Sequence, residues 1–235
     1  GVGRSERVGL SFLPKIRDLF LSPLIPQLQN TNISVNATRV DKFMNNITSV
    51  SEIKKSLSKI HPFSEEQLSL FADKVSYRSI KKKDFLIKEN QVSDGITFIL
   101  TGSLRFIRKL NHGELTIKFF VENNWIADLE SLLTQQPSKN YIEVIEDSEI
   151  ASITLADIHK LMDTHPCFRM LNALMADLTI SASYITTINS KTPDERYKEL
   201  LLKHPQWINR FPQMLIASYL GMTPETLSRV RARIK

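Results

Sequence analysis

The sequence has little cysteine, little glycine and no long apolar run. Cys167 is the single cysteine among 235 residues, which excludes an intramolecular disulfide, a four-cysteine zinc site and a cysteine-ligated iron–sulfur cluster. No segment approaches the roughly 18 consecutive apolar residues of a membrane helix. The N-terminus lacks the charged and then apolar pattern of a secretion signal. We therefore expect a cytoplasmic protein with no membrane partner.

Sequence motifs of catalysis are also missing. There is no Gly-x-Ser-x-Gly nucleophile motif, no glycine-rich phosphate loop and no His-Glu-x-x-His zinc motif. We therefore expect a protein that is not an enzyme and that has no metal site. The positive charge is more informative, because residues 191–235 carry nine lysines and arginines against four acidic residues. A basic segment suits DNA, although a solvated helix face explains charge alone equally well.

The hydrophobic pattern divides the chain into four parts. Residues 1–43 contain three prolines and no sustained period, which predicts a poorly ordered extension. Residues 44–165 contain two helical patterns followed by short β-rich runs. Residues 166–190 are predicted to form a long helix, and residues 191–235 restart with a clear helix cap. The predicted class is α+β, with a β-roll or sandwich flanked by helices.

Seven β-rich runs are separated by turn residues, among them residues 101–103 and 146–148. Apolar and polar side chains alternate over residues 104–108 and again over residues 115–119. This alternation predicts a hairpin around Gly113.

Apolar residues run along the whole helix predicted from Cys167 to Ile188. They include Leu171, Leu174, Met175, Leu178, Ile185 and Ile188. Core packing and a two-helix dimer seam both explain such a stripe. We favour the seam, because a helix of about 33 Å is longer than a small domain. The sequence thus predicts a homodimer formed through residues 167–188.

The segment from Gln213 to Lys235 predicts a helix-turn-helix. Ala217 is the small residue needed where two helices cross, and Gly221 tolerates the positive φ of a tight turn. Thr223 caps the second helix, with Pro224 at its first position. The predicted core of the motif consists of Ile216, Leu220, Met222, Leu227 and Val230.

The opposite face of the second helix carries Glu225, Ser228 and Arg229. Arginine pairs with guanine and glutamate accepts from cytosine in the major groove, so we expect these three residues to read bases. A plain αα-hairpin is the alternative, but the cap, turn and basic face together favour double-stranded DNA. A dimer predicts a near-palindromic operator with reading helices roughly 34 Å apart. The predicted phosphate contacts are Thr223, Thr226 and Arg231.

The segment Ile216–Arg229 and the order of elements over residues 50–235 resemble the Crp/Fnr family of transcription regulators. The resemblance implies a jelly roll of the cyclic-nucleotide-binding type, a long dimer helix and a winged helix-turn-helix. The sequence ends before the wing, so we expect a truncated reading unit. RNA polymerase is a candidate further partner. The alternative is a ligand-binding module that acts through protein–protein contacts.

The resemblance also locates an effector pocket. Cyclic-nucleotide binders of the family hold the ribose with a Gly-Glu pair and the phosphate with an arginine followed by a small residue. The matching positions here are Ala127, Asp128, Ser138 and Lys139. Because the glycine is missing and lysine lacks the fork of arginine, we expect a degenerate pocket that does not respond to cAMP. Haem bound through His112, His159 or His165 is left as an open alternative.

Overall fold

The computed structural model describes residues 49–110, 113–178 and 190–234. The predicted extension over residues 1–43 lies outside the described residues. The described residues all belong to one compact unit. Within the described ranges, no helix combines the length and the apolar character needed to cross a bilayer.

Two helices precede the strands, α1 over residues 49–57 and α2 over Glu65–Ala72. The second begins with a capping box, because Ser64 Oγ accepts from the Gln67 N–H at 3.2 Å and the Gln67 side chain accepts from the Ser64 N–H at 2.9 Å. The strands are β1 (Ser76–Ile80), β2 (Phe85–Ile87), β3 (Gly95–Leu110), β4 (Gly113–Phe120), β5 (Trp125–Ile126) and β6 (Asn140–Thr154). The later helices are α3 (Leu129–Thr134), α4 (Leu155–Thr164), α5 (Leu171–Asp177), α6 (Pro193–Lys203), α7 (Trp207–Arg210), α8 (Gln213–Tyr219) and α9 (Pro224–Arg233).

All strand pairs are antiparallel, and the sheet runs β1-β6-β3-β4, with β2 also on β6 and β5 also on β3. The interior of this β-roll is filled by apolar side chains such as Leu104, Phe106, Ile142 and Val144. The helices α1, α2, α4 and α5 share a second apolar cluster at one side of the roll. The predicted α+β class and the hairpin that returns at Gly113 are confirmed.

Two predicted turns are instead kinks inside long strands. Residues 101–103 lie within β3 and residues 146–148 lie within β6, and the register between these strands shifts at this point. Gly102 has a φ of 90°, and a Cβ there would lie 2.2 Å from Ser148 Oγ. Glycine therefore allows the two strands to bend together without breaking their pairing.

A β-bulge in β4 changes which residues face the interior. Phe106 pairs with Lys118 while the next residue, Ile107, pairs with Thr116, so β4 carries one extra residue. As a result, Phe120 packs in the β-roll interior, whereas Phe119 packs among the C-terminal helices. Strict alternation would put Phe119 on the same face as Leu115, and the bulge prevents this.

The predicted long helix does not begin as an α-helix at Cys167. Residues Pro166–Met170 form a 3₁₀ helix with the proline at its first turn, and α5 follows at Leu171. Leu171, Leu174 and Leu178 are buried in the cluster that α1 and α2 also share. Core packing therefore accounts for this part of the stripe, while Ile185 and Ile188 lie outside the described residues.

The C-terminal helices form one cluster with β4. Thr192 and Glu195 make a capping box at the start of α6, with Pro193 at its first position. Tyr197 and Leu200 of α6 pack with residues of α7, α8 and α9. Phe119 from the β-roll enters the same cluster and is 1% exposed. The core of this helical unit is thus completed by side chains from the β-roll, Phe119 of β4 and Ile145 of β6.

Candidate DNA-binding surface and effector pocket

Helices α8 and α9 form the predicted helix-turn-helix. Gly221 has a φ of 60° at the turn, and Ala217 is 1% exposed within the core that both helices share. Thr223 Oγ1 accepts from the Thr226 N–H at 3.2 Å and so caps α9, with Pro224 at its first position. The predicted core is confirmed. Met222 is half-buried, and the other four residues are buried: Ile216, Leu220, Leu227 and Val230.

Arg196 on α6 fixes the turn between the two helices. Its Nη1 donates to the carbonyls of Leu220 at 2.6 Å and Gly221 at 3.1 Å, and its Nε donates to the Lys191 carbonyl at 3.1 Å. The Leu220 and Gly221 carbonyls lie at the end of helix α8, beyond the reach of its own N–H groups, so the guanidinium satisfies them. The sequence offered no local signal for this role, because Leu220 and Gly221 lie more than 20 residues further along the chain.

The three predicted base-reading residues share one exposed face. Glu225, Ser228 and Arg229 are all exposed on α9, opposite the buried Leu227 and Val230. The N–H of Glu225 itself, the Thr223 hydroxyl and the positive charge of Arg229 hold the pKa of Glu225 below its ordinary range. Glu225 is therefore an anionic acceptor at neutral pH.

The predicted phosphate contacts flank this face. Thr223 is exposed, Thr226 is half-buried, and their hydroxyl oxygens lie 3.2 Å apart at the start of α9. Arg231 is exposed near the end of the same helix. Arg233, by contrast, pairs with Asp194 at 2.8 Å and ties the end of α9 to the start of α6. Both ends of the helix thus carry groups that donate to anions or fix its position.

Asp128 of the candidate effector pocket is buried and hydrogen-bonded within the chain. Asp128 is 2% exposed and caps α3, where it accepts from the Ser131 N–H at 3.3 Å. The same carboxylate accepts a short hydrogen bond from the Ser138 hydroxyl and a 3.2 Å bond from the Asn140 amide. Ala127 is buried beside it. The carboxylate that matches the ribose-binding glutamate therefore has its hydrogen bonds satisfied from within the chain.

Lys139 does not join this network. It is exposed, whereas its neighbours Ser138 and Asn140 are buried. The cation near the pocket is instead Arg108 on β3, whose Nε donates to Asn140 Oδ1 at 3.5 Å. Arg108 faces the same side of its strand as Leu104 and Phe106, because positions along a strand alternate between faces. That parity could have identified Arg108 from the sequence, and the prediction of Lys139 as the pocket cation is not supported.

Metal binding has little support in the described part of the chain. There, no group of three or more His, Cys, Asp or Glu side chains lies close enough together to hold an ion. His112, one of the three histidines considered for haem, lies outside the described residues.

Comparison with known proteins finds a similar domain for the β-roll. Residues 77–165, which run from β1 to the end of α4, match the family model described as the cyclic nucleotide-binding domain. No curated protein matches the chain.

Solved structures extend the likeness into the C-terminal helices. The c-di-GMP responsive global regulator CLP of Xanthomonas campestris has a TM-score of 0.59 at 12% identity, over 73% of this chain and 91% of that chain. FixK2 of Bradyrhizobium japonicum has a TM-score of 0.56 at 18% identity, over 68% and 84%. A Crp/Fnr-family transcriptional regulator of Eubacterium rectale has a TM-score of 0.56 at 21% identity, over 73% and 83%. The predicted Crp/Fnr resemblance is confirmed at the level of the fold.

Proposed function

We propose that this chain is a DNA-binding transcription regulator of the Crp/Fnr type, in which the β-roll senses a signal and α9 reads DNA. The observation that carries the proposal is the exposed face of Glu225, Ser228 and Arg229 on a capped helix whose other face is buried. These side chains have the donors and acceptors that discriminate base pairs in the major groove. The proposed regulator acts by binding rather than by catalysis, and its proposed location is the cytoplasm.

The proposed regulator is a homodimer with two reading helices. Residues 167–188 remain the proposed dimer segment, although the described part of this segment also packs into the core of its own chain. Two copies of α9 separated by one DNA turn would read a near-palindromic operator. Thr223, Thr226 and Arg231 are proposed to contact phosphates and to set the register of α9 on the duplex.

The experiment that tests DNA reading is selection from random duplexes by the purified full chain. We expect enrichment of a near-palindromic site with half-site centres about one helical turn apart. The affinity should fall steeply with salt, because phosphate contacts release counterions. If no sequence is enriched over the starting pool, DNA reading is wrong, and a ligand-binding module that acts through protein–protein contacts becomes the better function.

The sensor pocket is proposed not to respond to cAMP. A ribose hydroxyl would have to displace Ser138 or Asn140 from the Asp128 carboxylate, and the exposed Lys139 is outside the buried network that a phosphate would enter. We therefore expect cAMP to leave the melting temperature unchanged, as 5′-AMP should in a matched control. A ligand at 100 times its Kd would stabilise the folded state by about 2.7 kcal/mol, so a rise in melting temperature specific to cAMP would contradict the proposal.

A further inference from the structure

Arg210, the last residue of α7, makes several hydrogen bonds from the helical unit to the β-roll. Its Nη1 and Nη2 both donate to the Glu122 carboxylate at 2.7 Å. Its Nη2 donates to Glu146 at 2.6 Å and to the Gly102 carbonyl at 3.2 Å, and its Nε adds a 3.1 Å bond to Glu146. One guanidinium thus donates hydrogen bonds to two carboxylates and a backbone carbonyl at once.

These partners come from separate parts of the β-roll. Gly102 and Glu146 lie at the facing kinks of β3 and β6, and Glu122 follows the end of β4. Both carboxylates lie near the kink at Gly102, because the Gly102 N–H donates to Glu122 at 3.1 Å and the Ser103 hydroxyl donates to Glu146 at 2.7 Å. Hydrogen bonds from Arg210 hold the pKa values of Glu122 and Glu146 below their ordinary range. Both carboxylates are therefore ionised at neutral pH, and without the guanidinium they would repel each other.

A second contact, made by Ser218, also holds the helical unit against the β-roll. Ser218 on α8 accepts from the Thr116 N–H at 3.0 Å and donates to the Glu114 carbonyl at 3.2 Å. The first helix of the helix-turn-helix is thus bonded to the backbone of β4, which lies at the end of the strand order. Arg210 and Ser218 hold the helical unit at two separated points, and two points restrict its rotation more than one.

We propose that Arg210 is a positioning residue that holds the recognition helix α9 at a set orientation on the β-roll. The inference rests on the proposed function, because orientation matters only if two α9 helices must meet two half-sites together. When Arg210 holds α9 in both subunits of the proposed dimer, the two α9 helices keep a constant spacing. This raises the effective concentration of the second helix at its half-site. Without Arg210 the spacing varies and that advantage is lost, although each single α9 still reads its own half-site.

Affinity for full and half operators tests this role. We expect Arg210→Ala to weaken binding to the full palindrome at least about tenfold and to change binding to an isolated half-site less than about twofold. Lys203→Ala is the matched control, since it removes one positive charge from the same helical unit and breaks a pair with Glu199 that does not touch the β-roll. Equal losses on both operators would mean that Arg210 acts locally or through its charge, and this would overturn the positioning role.

A distance measurement tests the clamp without DNA. Nitroxide labels at Lys82→Cys in the β-roll and Ala232→Cys in α9, both at exposed positions, are placed in a Cys167→Ser background diluted with unlabelled protein. We expect a narrow distance distribution for the parent and Lys203→Ala, a broad one for Arg210→Ala, and an intermediate one for Arg210→Lys, which lacks the fork. The double variant Glu122→Gln, Glu146→Gln removes the clamp from the β-roll side and should also give a broad distribution. The test therefore holds even if Arg210→Ala folds poorly.

The two measurements separate the failure of this inference from the failure of DNA reading. If the parent selects no DNA site, the proposed function fails, and the distance distributions still decide whether Arg210 clamps the helical unit. If the distributions of Arg210→Ala and the double glutamine variant equal that of the parent, the clamp is refuted. A broadened distribution with unchanged affinity for the full palindrome would also overturn the positioning role.

Discussion

Replacement of Phe119 by alanine is expected to lower the free energy of unfolding of the helical unit α6–α9 by about 3–5 kcal/mol. The ring is 1% exposed and stacks on Phe211 with centroids 4.3 Å apart. It also contacts Trp207 at 5.2 Å and Tyr219 at 5.4 Å between ring centroids. Truncation would leave a cavity in a small core where the helices have few apolar neighbours to replace the ring.

Hydrogen exchange of individual amides measures this effect. We expect amides in α6, α8 and α9 to lose protection in Phe119→Ala, while amides of β3 and β6 retain it. Phe98→Ala is the matched control. Phe98 is fully buried beside Trp125 in the cluster that α1, α2, α4 and α5 share, and it does not belong to the core of the helical unit. If both variants change protection in the same amides, β4 does not complete the helical core as the packing indicates.

The parts of the fold that the sequence predicted well are those governed by neighbouring residues. The caps at Thr192 and Thr223 depend on a hydrogen bond from the backbone N–H three residues further along, and both are present. The kinks at residues 101–103 and 146–148 were predicted as turns, because a bend within a strand and a turn between strands use the same residues. Only the partner strand, which continues the pairing past the kink, distinguishes the two structures.

Features that depend on distant partners were not predictable in the same way. The bulge in β4 reverses the faces of Phe119 and Phe120, and its position depends on how β4 pairs with β3. Arg210 has no sequence signal that separates it from a solvated arginine on a short helix, since Glu146 and Gly102 are 64 and 108 residues away. An apolar stripe likewise does not reveal which surface covers it, as the burial of Leu171 in its own core demonstrates.

The two candidate sites also differ in how far neighbouring residues determine them. The exposed face of α9 was predictable because a helix of known phase separates the exposed Arg229 from the buried Val230 within one segment. The pocket was predicted by matching positions in a loop, and matching does not give the direction of a side chain. Lys139 accordingly turns out to be exposed, while Asn140 supplies a hydrogen bond that the match did not include.

Replacement of Arg229 by alanine is expected to weaken binding to a selected operator by about 1–3 kcal/mol per half-site and to relax the preference for one base pair. Arg229 is exposed on the same face as Glu225, whose pKa its positive charge helps to lower. Its guanidinium is therefore available for a bidentate contact to guanine. The measurement is a gel-shift series on the operator and on single-base variants at several salt concentrations. The loss should be largest on the preferred base pair and small on non-specific duplex.

Arg231→Ala is the matched control for this prediction, because it removes the same charge from the same helix at a position proposed to contact phosphate. It should weaken binding to all duplexes nearly uniformly and reduce the salt slope by about 1, while the base preference stays unchanged. The contrast between the two variants separates base reading from general attraction to the duplex. If Arg229→Ala behaves like Arg231→Ala, the face of α9 contacts DNA without reading it, and the source of sequence preference must be sought elsewhere in the chain.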